Sequence, residues 1–201
     1  MKKSLIVATA LGALLISTPK AEAKIFEVWA QGLVGGAFGA GSTDRDFYKW
    51  AGGGVVGAEA GVKILFIGLY VDYLRFFGGE TGANLIGFNL GGDGTIELTE
   101  GLDLVLRAAG TFYIGSVDNA GTYDSTTGTY ETQNIQTRGF GAKGGIGLRY
   151  TFLKVMSVGA TPTGGFHYFF GGANEDPTQT SENSTGWDFQ AMAYFRVGFG
   201  I

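Results

Sequence analysis

Apolar and polar residues alternate with a period of two over much of this chain. The last fifteen residues show the pattern most plainly, because every second position from Trp187 to Ile201 is apolar. Side chains on a β-strand point alternately to its two faces, so one long strand is predicted here, with an apolar face and a polar, small-residue face. Strands of soluble domains are mostly about 5–6 residues long. A strand of this length suits a tilted crossing of a bilayer, which takes about 9–11 residues.

The same alternation predicts eight strands along the chain. They are placed at about residues 25–39, 50–63, 66–77, 84–98, 102–114, 136–152, 156–170 and 187–201. Pro162 lies inside the seventh strand, where it cannot donate to the hydrogen-bond ladder, and is predicted to mark a local bulge or kink.

The connections between these strands alternate in length. Loops are predicted at 41–49, 78–83, 116–135 and 171–185, whereas tight turns follow the second, fourth and sixth strands. Outer-membrane barrels show this asymmetry, and an even strand number lets the last strand pair with the first so that no edge remains. The predicted fold class is therefore all-β, an eight-stranded antiparallel up-and-down transmembrane β-barrel.

The final strand and the loop asymmetry resemble bacterial outer-membrane β-barrel proteins, and the architecture is similar to the transmembrane domain of the OmpA/OmpX-like superfamily. The resemblance implies a monomer in the bacterial outer membrane, among outer-membrane lipid and lipopolysaccharide. It also implies that the outer-membrane assembly machinery reads the final strand through Phe195, Val197, Phe199 and Ile201. The family usually ends in Phe or Trp, and this chain departs from it by ending in Ile201.

The N-terminus is predicted to be a secretory signal peptide, residues 1–23, followed by one barrel domain, residues 24–201. Lys2 and Lys3 precede an apolar stretch, and Ala21 and Ala23 give a small-x-small cleavage pattern. The apolar stretch is shorter than the ~18 residues of a spanning helix, which makes a membrane anchor the lesser alternative. The chain has no cysteine, so neither a disulfide framework nor a thiolate metal site is possible.

Composition indicates which face of the barrel meets lipid. A soluble lipocalin-type barrel would have an apolar interior and a charged exterior. Charged residues are only 16% of this chain, against about 25% in typical soluble domains. The apolar positions are almost free of charge, with Arg75 as the exception near a loop, whereas the polar positions combine charges of both signs with many glycines. We therefore expect lipid outside and a narrow, filled lumen.

A charge network is predicted to fill that lumen, because unpaired buried charges would each cost several kcal/mol. Folding the fourth and fifth strands about residue 100 sets Asp93 opposite Arg107. It also sets Glu97 opposite Asp103, two acids that need a base such as Lys63 or Arg149 nearby. The predicted members are Glu27, Glu59, Lys63, Asp72, Asp93, Glu97, Asp103, Arg107, Lys143, Arg149, Asp188 and Arg196.

Little in the sequence points to catalysis, and no enzyme activity is predicted. His167 is the single histidine. Eight-stranded lipid A deacylases carry a serine two residues after their catalytic histidine, and here that position is Phe169. Palmitoyl transferases of this architecture use a cluster of His, Asp and Ser. Asp188 and Ser184 are the candidates for such a cluster with His167, but their spacing in the sequence does not favour a catalytic cluster over coincidence. No catalytic residue, cofactor or metal site is predicted.

Two function classes remain open beside a lipid-modifying enzyme as an outlier. The first is a structural or surface-interaction protein that acts through its outer loops, and the second is a narrow pore for small solutes or ions. The filled lumen favours the first. A net charge of −4 opposes nucleic-acid binding, which needs a basic surface.

Overall fold

The computed structural model describes residues 25–42, 47–77, 82–124, 128–173 and 183–201. The predicted signal peptide, residues 1–23, lies outside the described residues. One short helix, α1, spans Phe47–Trp50. The strands are β1 Phe26–Gly41, β2 Gly53–Ile64, β3 Ile67–Phe77, β4 Ala83–Thr99, β5 Leu102–Asp124, β6 Thr129–Leu153, β7 Met156–Ala173 and β8 Ser184–Gly200.

The strands form a closed barrel in sequence order, and each pairs antiparallel with the next. Closure is made by β1 and β8, which pair from Glu27↔Gly200 to Gly41↔Gly186. Phe26 and Ile201 extend this ladder with two backbone hydrogen bonds of 3.0 Å. The predicted eight-stranded up-and-down barrel is confirmed. Among the described residues, no helix is long and apolar enough to cross a membrane.

The outer face of the barrel is apolar between its two ends. Leu106, Ile146 and Phe166, which the alternation predicts on the lipid side, are all exposed. In the described ranges, exposed charged side chains occur only near the loops or the tight turns: Arg75, Glu100, Asp118, Arg138 and Lys154. Soluble monomers rarely expose a continuous apolar surface of this extent, so the barrel has the transmembrane form and not the lipocalin form. We call its two ends the turn end, with the termini, and the loop end.

The prediction of a loop at 116–135 is wrong. β5 and β6 continue to pair through this segment, from Ala120↔Gln133 to Asp124↔Thr129, after a register shift that follows Val117. The strands on either side stop earlier, since β4 reaches Val117 and β7 reaches Gln136. The segment therefore contains two paired strands that extend beyond the barrel, which we call the projecting hairpin (residues 118–124 and 128–135).

The prediction of an outward loop at 41–49 and of a strand from residue 50 is also wrong in part. Residues 43–46 lie outside the described residues, but α1 follows them and β2 begins only at Gly53. Phe47 and Tyr48 of this helix are each 2% exposed, because they are inserted into the loop end of the barrel. The described part of the first connection thus places two aromatic side chains inside the barrel.

Pro162 causes no bulge, so this half of the predicted alternative, a local bulge or kink, is wrong. The register of β7 against β6 is the same on both sides of it, at Gly145↔Thr163 and Leu148↔Ala160. The two strands form no bridge between these positions, so the missing proline donor leaves a gap in the ladder without a shift. The last predicted loop, 171–185, is shorter than expected because β7 extends to Ala173 and β8 starts at Ser184. Residues 174–182 lie outside the described residues.

The assignment of faces can be tested with spin labels at adjacent residues of β5. A label at Leu106 should lie in acyl chains, so that oxygen broadens its signal and a water-soluble nickel chelate does not. A label at Val105, which is 5% exposed and points inward, should be shielded from both. Strong broadening of the Leu106 label by the nickel chelate would contradict the transmembrane assignment.

Candidate functional site

The lumen near the turn end is crossed by ion pairs that join β1, β2 and β8. Glu27 accepts from Arg196 at 2.6 Å and lies 3.1 Å from Lys63. Arg196 also lies 3.9 Å from Asp93 on β4, and its guanidinium stacks over Trp29 at 4.6 Å from the ring centroid. Because Glu27 and Arg196 are both buried, this cluster closes the turn end by paired charges.

A second cluster lies at mid-height and centres on Arg107. Its guanidinium binds Glu59 at 2.8 Å and Asp93 at 3.2 Å, with the Tyr70 ring 4.8 Å from its carbon. Glu59 also accepts hydrogen bonds from the Trp29 indole at 3.0 Å and from a neighbouring glutamine amide. Asp93 and Arg107 face each other across β4 and β5, as the turn geometry predicts.

Lys143 on β6 reaches across the lumen to Asp72 on β3, at 2.7 Å. The same carboxylate accepts from the Asn89 amide at 2.8 Å, and Thr111 donates to Asn89 at 2.8 Å. Gly87 provides the space, since a Cβ there would lie 2.5 Å from the Asp72 carboxylate. A continuous polar chain therefore joins β3, β4, β5 and β6.

The remaining predicted members of the network lie apart from these clusters. Asp103 pairs with Arg149 at 3.0 Å, so the facing acids Glu97 and Asp103 do have a base beside them. However, Glu97 is only half-buried and forms no ion pair within the described part of the chain. Asp188 contacts none of the five predicted bases there, and lies instead 3.6 Å from His167 Nδ1.

The loop end of the lumen is apolar, which the alternation does not predict. Phe47 of α1 packs against Phe76 and Phe169 with ring centroids 5.5 and 6.0 Å apart. Gly39 and Gly115 let the helix approach the wall, because a Cβ at either would lie within 3.0 Å of Tyr48 or Phe47. The cluster, which we call the plug, comprises Ala37, Phe47, Tyr48, Ala51, Val55, Leu74, Phe76, Ala83, Leu85, Tyr113, Val117, Phe169 and Met192.

A few polar groups lie directly beneath the plug. Gln190 donates to the Tyr48 hydroxyl at 3.1 Å and to Asp188 at 3.0 Å, and the His167 ring lies 5.0 Å from that of Tyr48. Burial and the nearby Asp188 carboxylate raise the pKa of Tyr48 well above its ordinary value, so its phenol stays neutral. His167 is 0% and Ser184 2% exposed. The three residue types that a triad needs thus occur in this region, since His167 lies 3.6 Å from Asp188 and Ser184 pairs with Phe169 on the neighbouring strand, but all three side chains are buried.

A cavity of about 50 Å³ lies between the plug and the ion pairs at the turn end. Its walls include Glu59, Asp72, Arg107 and Lys143. The volume corresponds to roughly three to five water molecules, so the space is far smaller than an aqueous channel. Among the described residues, no group of three or more His, Asp or Glu side chains is placed to hold a metal ion.

The likeness of this chain to known proteins lies in its structure. No protein-family model and no curated protein matches the chain. A major outer membrane protein from Thermus thermophilus is similar in structure, with 11% identity and a TM-score of 0.50 over 87% of this chain and 99% of that one. Its likeness establishes the fold alone. The fold is that of an eight-stranded outer-membrane barrel.

Two further structures have lower scores. Neisserial surface protein A has 18% identity and a TM-score of 0.49, covering 87% of this chain and 97% of its own. The N-terminal β-barrel domain of Pseudomonas aeruginosa OprF has 14% identity and a TM-score of 0.45, covering 85% and 97%.

The contribution of the charge network can be tested at Arg107. Arg107→Met leaves Glu59 and Asp93 buried with fewer counter-charges, which costs about 3–5 kcal/mol. We expect the unfolding midpoint, followed by heat-modifiable gel mobility, to fall by about 10 °C. Adding Glu59→Gln should restore part of the loss, whereas Leu106→Ala on the lipid face serves as control. An unchanged midpoint would remove Arg107 from any stabilising role.

Proposed function

We propose that this protein is an outer-membrane surface protein whose barrel is a closed anchor for the projecting hairpin, and that the hairpin recognises an extracellular macromolecule. The observation that carries the proposal is the contrast between the two parts of the molecule. The lumen is filled at both ends, by ion pairs at the turn end and by the plug at the loop end, with a cavity of about 50 Å³ between them. The longest strands, β5 and β6, continue past the barrel instead.

The geometry of the hairpin supports a recognition role. From Val117 to Asp124, at ~3.4 Å per residue, it extends roughly 20–25 Å beyond the barrel wall. Apart from one bond from Asp118 to Gly82, neither outer edge is paired with another described strand. Unpaired edges offer backbone donors and acceptors to an added strand of a partner.

Placement in the bacterial outer membrane is part of the proposal. Phe195, Val197 and Phe199 lie on the outer face of β8, and Ile201, directly after the strand, is 87% exposed. This is the strand that closes the barrel with β1, so its recognition by the assembly machinery would precede closure. We therefore propose these four residues as the assembly signal. We also propose that a single barrel is the functional unit.

The proposed orientation can be tested by cysteine labelling, because the chain contains no cysteine. Thr129→Cys in the projecting hairpin should react with a membrane-impermeant maleimide on intact cells. Lys154→Cys, in the turn between β6 and β7, should react only after the outer membrane is made permeable. Labelling of Lys154→Cys but not of Thr129→Cys on intact cells would reverse the orientation and refute the proposal.

The recognition role needs a second readout on the same variants. A maleimide–diazirine linker at Thr129→Cys should form adducts with a non-lipid macromolecule in the native surroundings, and Lys154→Cys on intact cells should not.

A matched chain in which Asn-Gly replaces residues 118–134 joins the paired residues Val117 and Ile135 by a two-residue turn. The shortened chain should fold equally well but no longer bind the extracellular macromolecule. Equal binding of that macromolecule by the full-length and shortened chains would argue for a purely structural barrel.

A narrow pore is the second candidate, and the cavity is what favours it. Gln31 Oε1 and Asp72 Oδ1, on residues that line the cavity, are buried without a protein partner. Polar atoms of this kind are normally satisfied by water, as they would be along a hydrated path. For a pore to form, this space would have to join both ends of the barrel.

Planar-bilayer recordings discriminate the two candidates. We expect the pure mature protein to give no steady conductance steps, because the plug and the cluster around Glu27 and Arg196 each block the lumen. Phe47→Ser with Tyr48→Ser, which weakens only the plug, should also remain silent. Steady steps from the unmodified protein would rank the pore first.

Absence of enzyme activity remains part of the proposal. The supporting observation is that His167, Asp188 and Ser184 are each at most 3% exposed. A lipid-modifying site must open towards acyl chains, and this one does not. Comparison of membrane lipids with and without the protein should show no new or missing acyl species.

A further inference from the structure

The outer face of the barrel carries a polar patch at the loop end of β3–β6. Four residues lie side by side in one cross-strand row, Arg75↔Asn84, Asn84↔Ser116 and Ser116↔Gln136. Arg138 follows two positions along β6 from Gln136, so it points to the same outer face. We call these residues, Arg75, Asn84, Ser116, Gln136 and Arg138, the rim patch.

An aromatic belt fixes the depth of the rim patch. Phe88, Phe112, Phe140 and Phe170 follow one another around the barrel, with successive ring centroids 6.4, 5.2 and 5.5 Å apart. Such belts lie at the boundary between hydrocarbon and headgroups. Arg138 pairs across strands with Phe170 and lies two residues beyond Phe140 towards the loop end, roughly 7 Å along the tilted strand and about 5 Å further out along the barrel axis. Its guanidinium therefore reaches the level of lipid phosphates.

The charged groups of the rim patch are available to a ligand. Arg75 donates to Asn84 Oδ1 at 3.2 Å and stands over the Phe77 ring at 5.8 Å, contacts that orient it without neutralising it. Arg138 is exposed and has no hydrogen bond or ion pair with the described residues. Among the side chains that the structure describes, Asp118 is the exposed carboxylate of this region, and it forms no ion pair with either arginine.

We propose that the rim patch binds the phosphate groups of an outer-leaflet lipid headgroup. Arginine binds phosphate through paired N–H donors, and the amide and hydroxyl side chains between the two arginines add further donors and acceptors. Arg75 and Arg138 lie roughly 15 Å apart along the sheet, three strand spacings and one two-residue step. A headgroup with two phosphates engages both guanidinium groups at once. The site deepens the proposed function, since it rests on a barrel that spans the outer membrane.

The test counts lipids retained by the full mature protein. The folded protein in detergent is mixed with bis-phosphorylated lipid A, monophosphorylated lipid A or phosphatidylcholine, and retained lipids are counted by native mass spectrometry. We expect retention to fall in that order. The double variant Arg75→Gln with Arg138→Gln should bind bis-phosphorylated lipid A at least about tenfold more weakly than the unmodified protein, because two charged contacts are lost. Lys154→Gln removes one positive charge at the turn end and should stay within about twofold of the unmodified protein.

The outcomes separate the proposal from a folding defect and from the proposed function. Arg75→Lys with Arg138→Lys keeps both charges and should retain an intermediate affinity. Each variant is first checked for heat-modifiable mobility, which reports an intact barrel. Equal retention of phosphatidylcholine, or an unchanged affinity in the double glutamine variant, overturns the lipid site. Surface labelling at Thr129→Cys depends on orientation alone, so failure of the lipid site leaves that result intact.

Discussion

The pairing of β1 with β8 is the interaction on which the rest of this structure depends. In a bilayer each backbone N–H or C=O without a partner costs several kcal/mol, because no water is present to bind it. The ladder from Glu27↔Gly200 to Gly41↔Gly186 removes the last two edges, and the terminal bonds between Phe26 and Ile201 complete it. Once the sheet is closed, each residue of a strand faces either lipid or lumen. The two faces must therefore be satisfied by different chemistry.

Closure confines the charged side chains to a space with little water, and pairing is the consequence. Asp93 illustrates this, since Arg107 and Arg196 from two other strands both approach it. Removing one member of such a cluster leaves another charge buried, whereas a fully apolar lumen could be equally stable. The network thus pairs charges from several strands near the turn end, while apolar packing around Phe47 fills the loop end.

Much of the barrel could be predicted from the sequence because successive residues of a strand face lipid and lumen in turn, so that their polarity alternates with a period of two. Leu106 and Arg107 differ in polarity because one faces lipid and the other faces Glu59. The projecting hairpin could not be predicted in this way: beyond the barrel both faces of its strands leave the lipid, so the alternation that marks a membrane strand disappears. The plug was missed for a different reason. A helix of four residues has no periodicity, and Phe47 and Tyr48 appear in the sequence as two aromatic residues in a polar loop.

The distribution of these features supports the proposed surface role over the pore. A pore would need two independent barriers to move, because withdrawal of Phe47 and Tyr48 would still leave Glu27 and Arg196 paired across the turn end. By contrast, nothing has to rearrange for the projecting hairpin or the rim patch to meet a ligand. Both belong to the β3–β6 side of the barrel, with Asp118 at the root of the hairpin bonded to Gly82 beside Arg75. Lipid bound at the rim patch would therefore lie against the base of the hairpin and limit its tilt relative to the membrane.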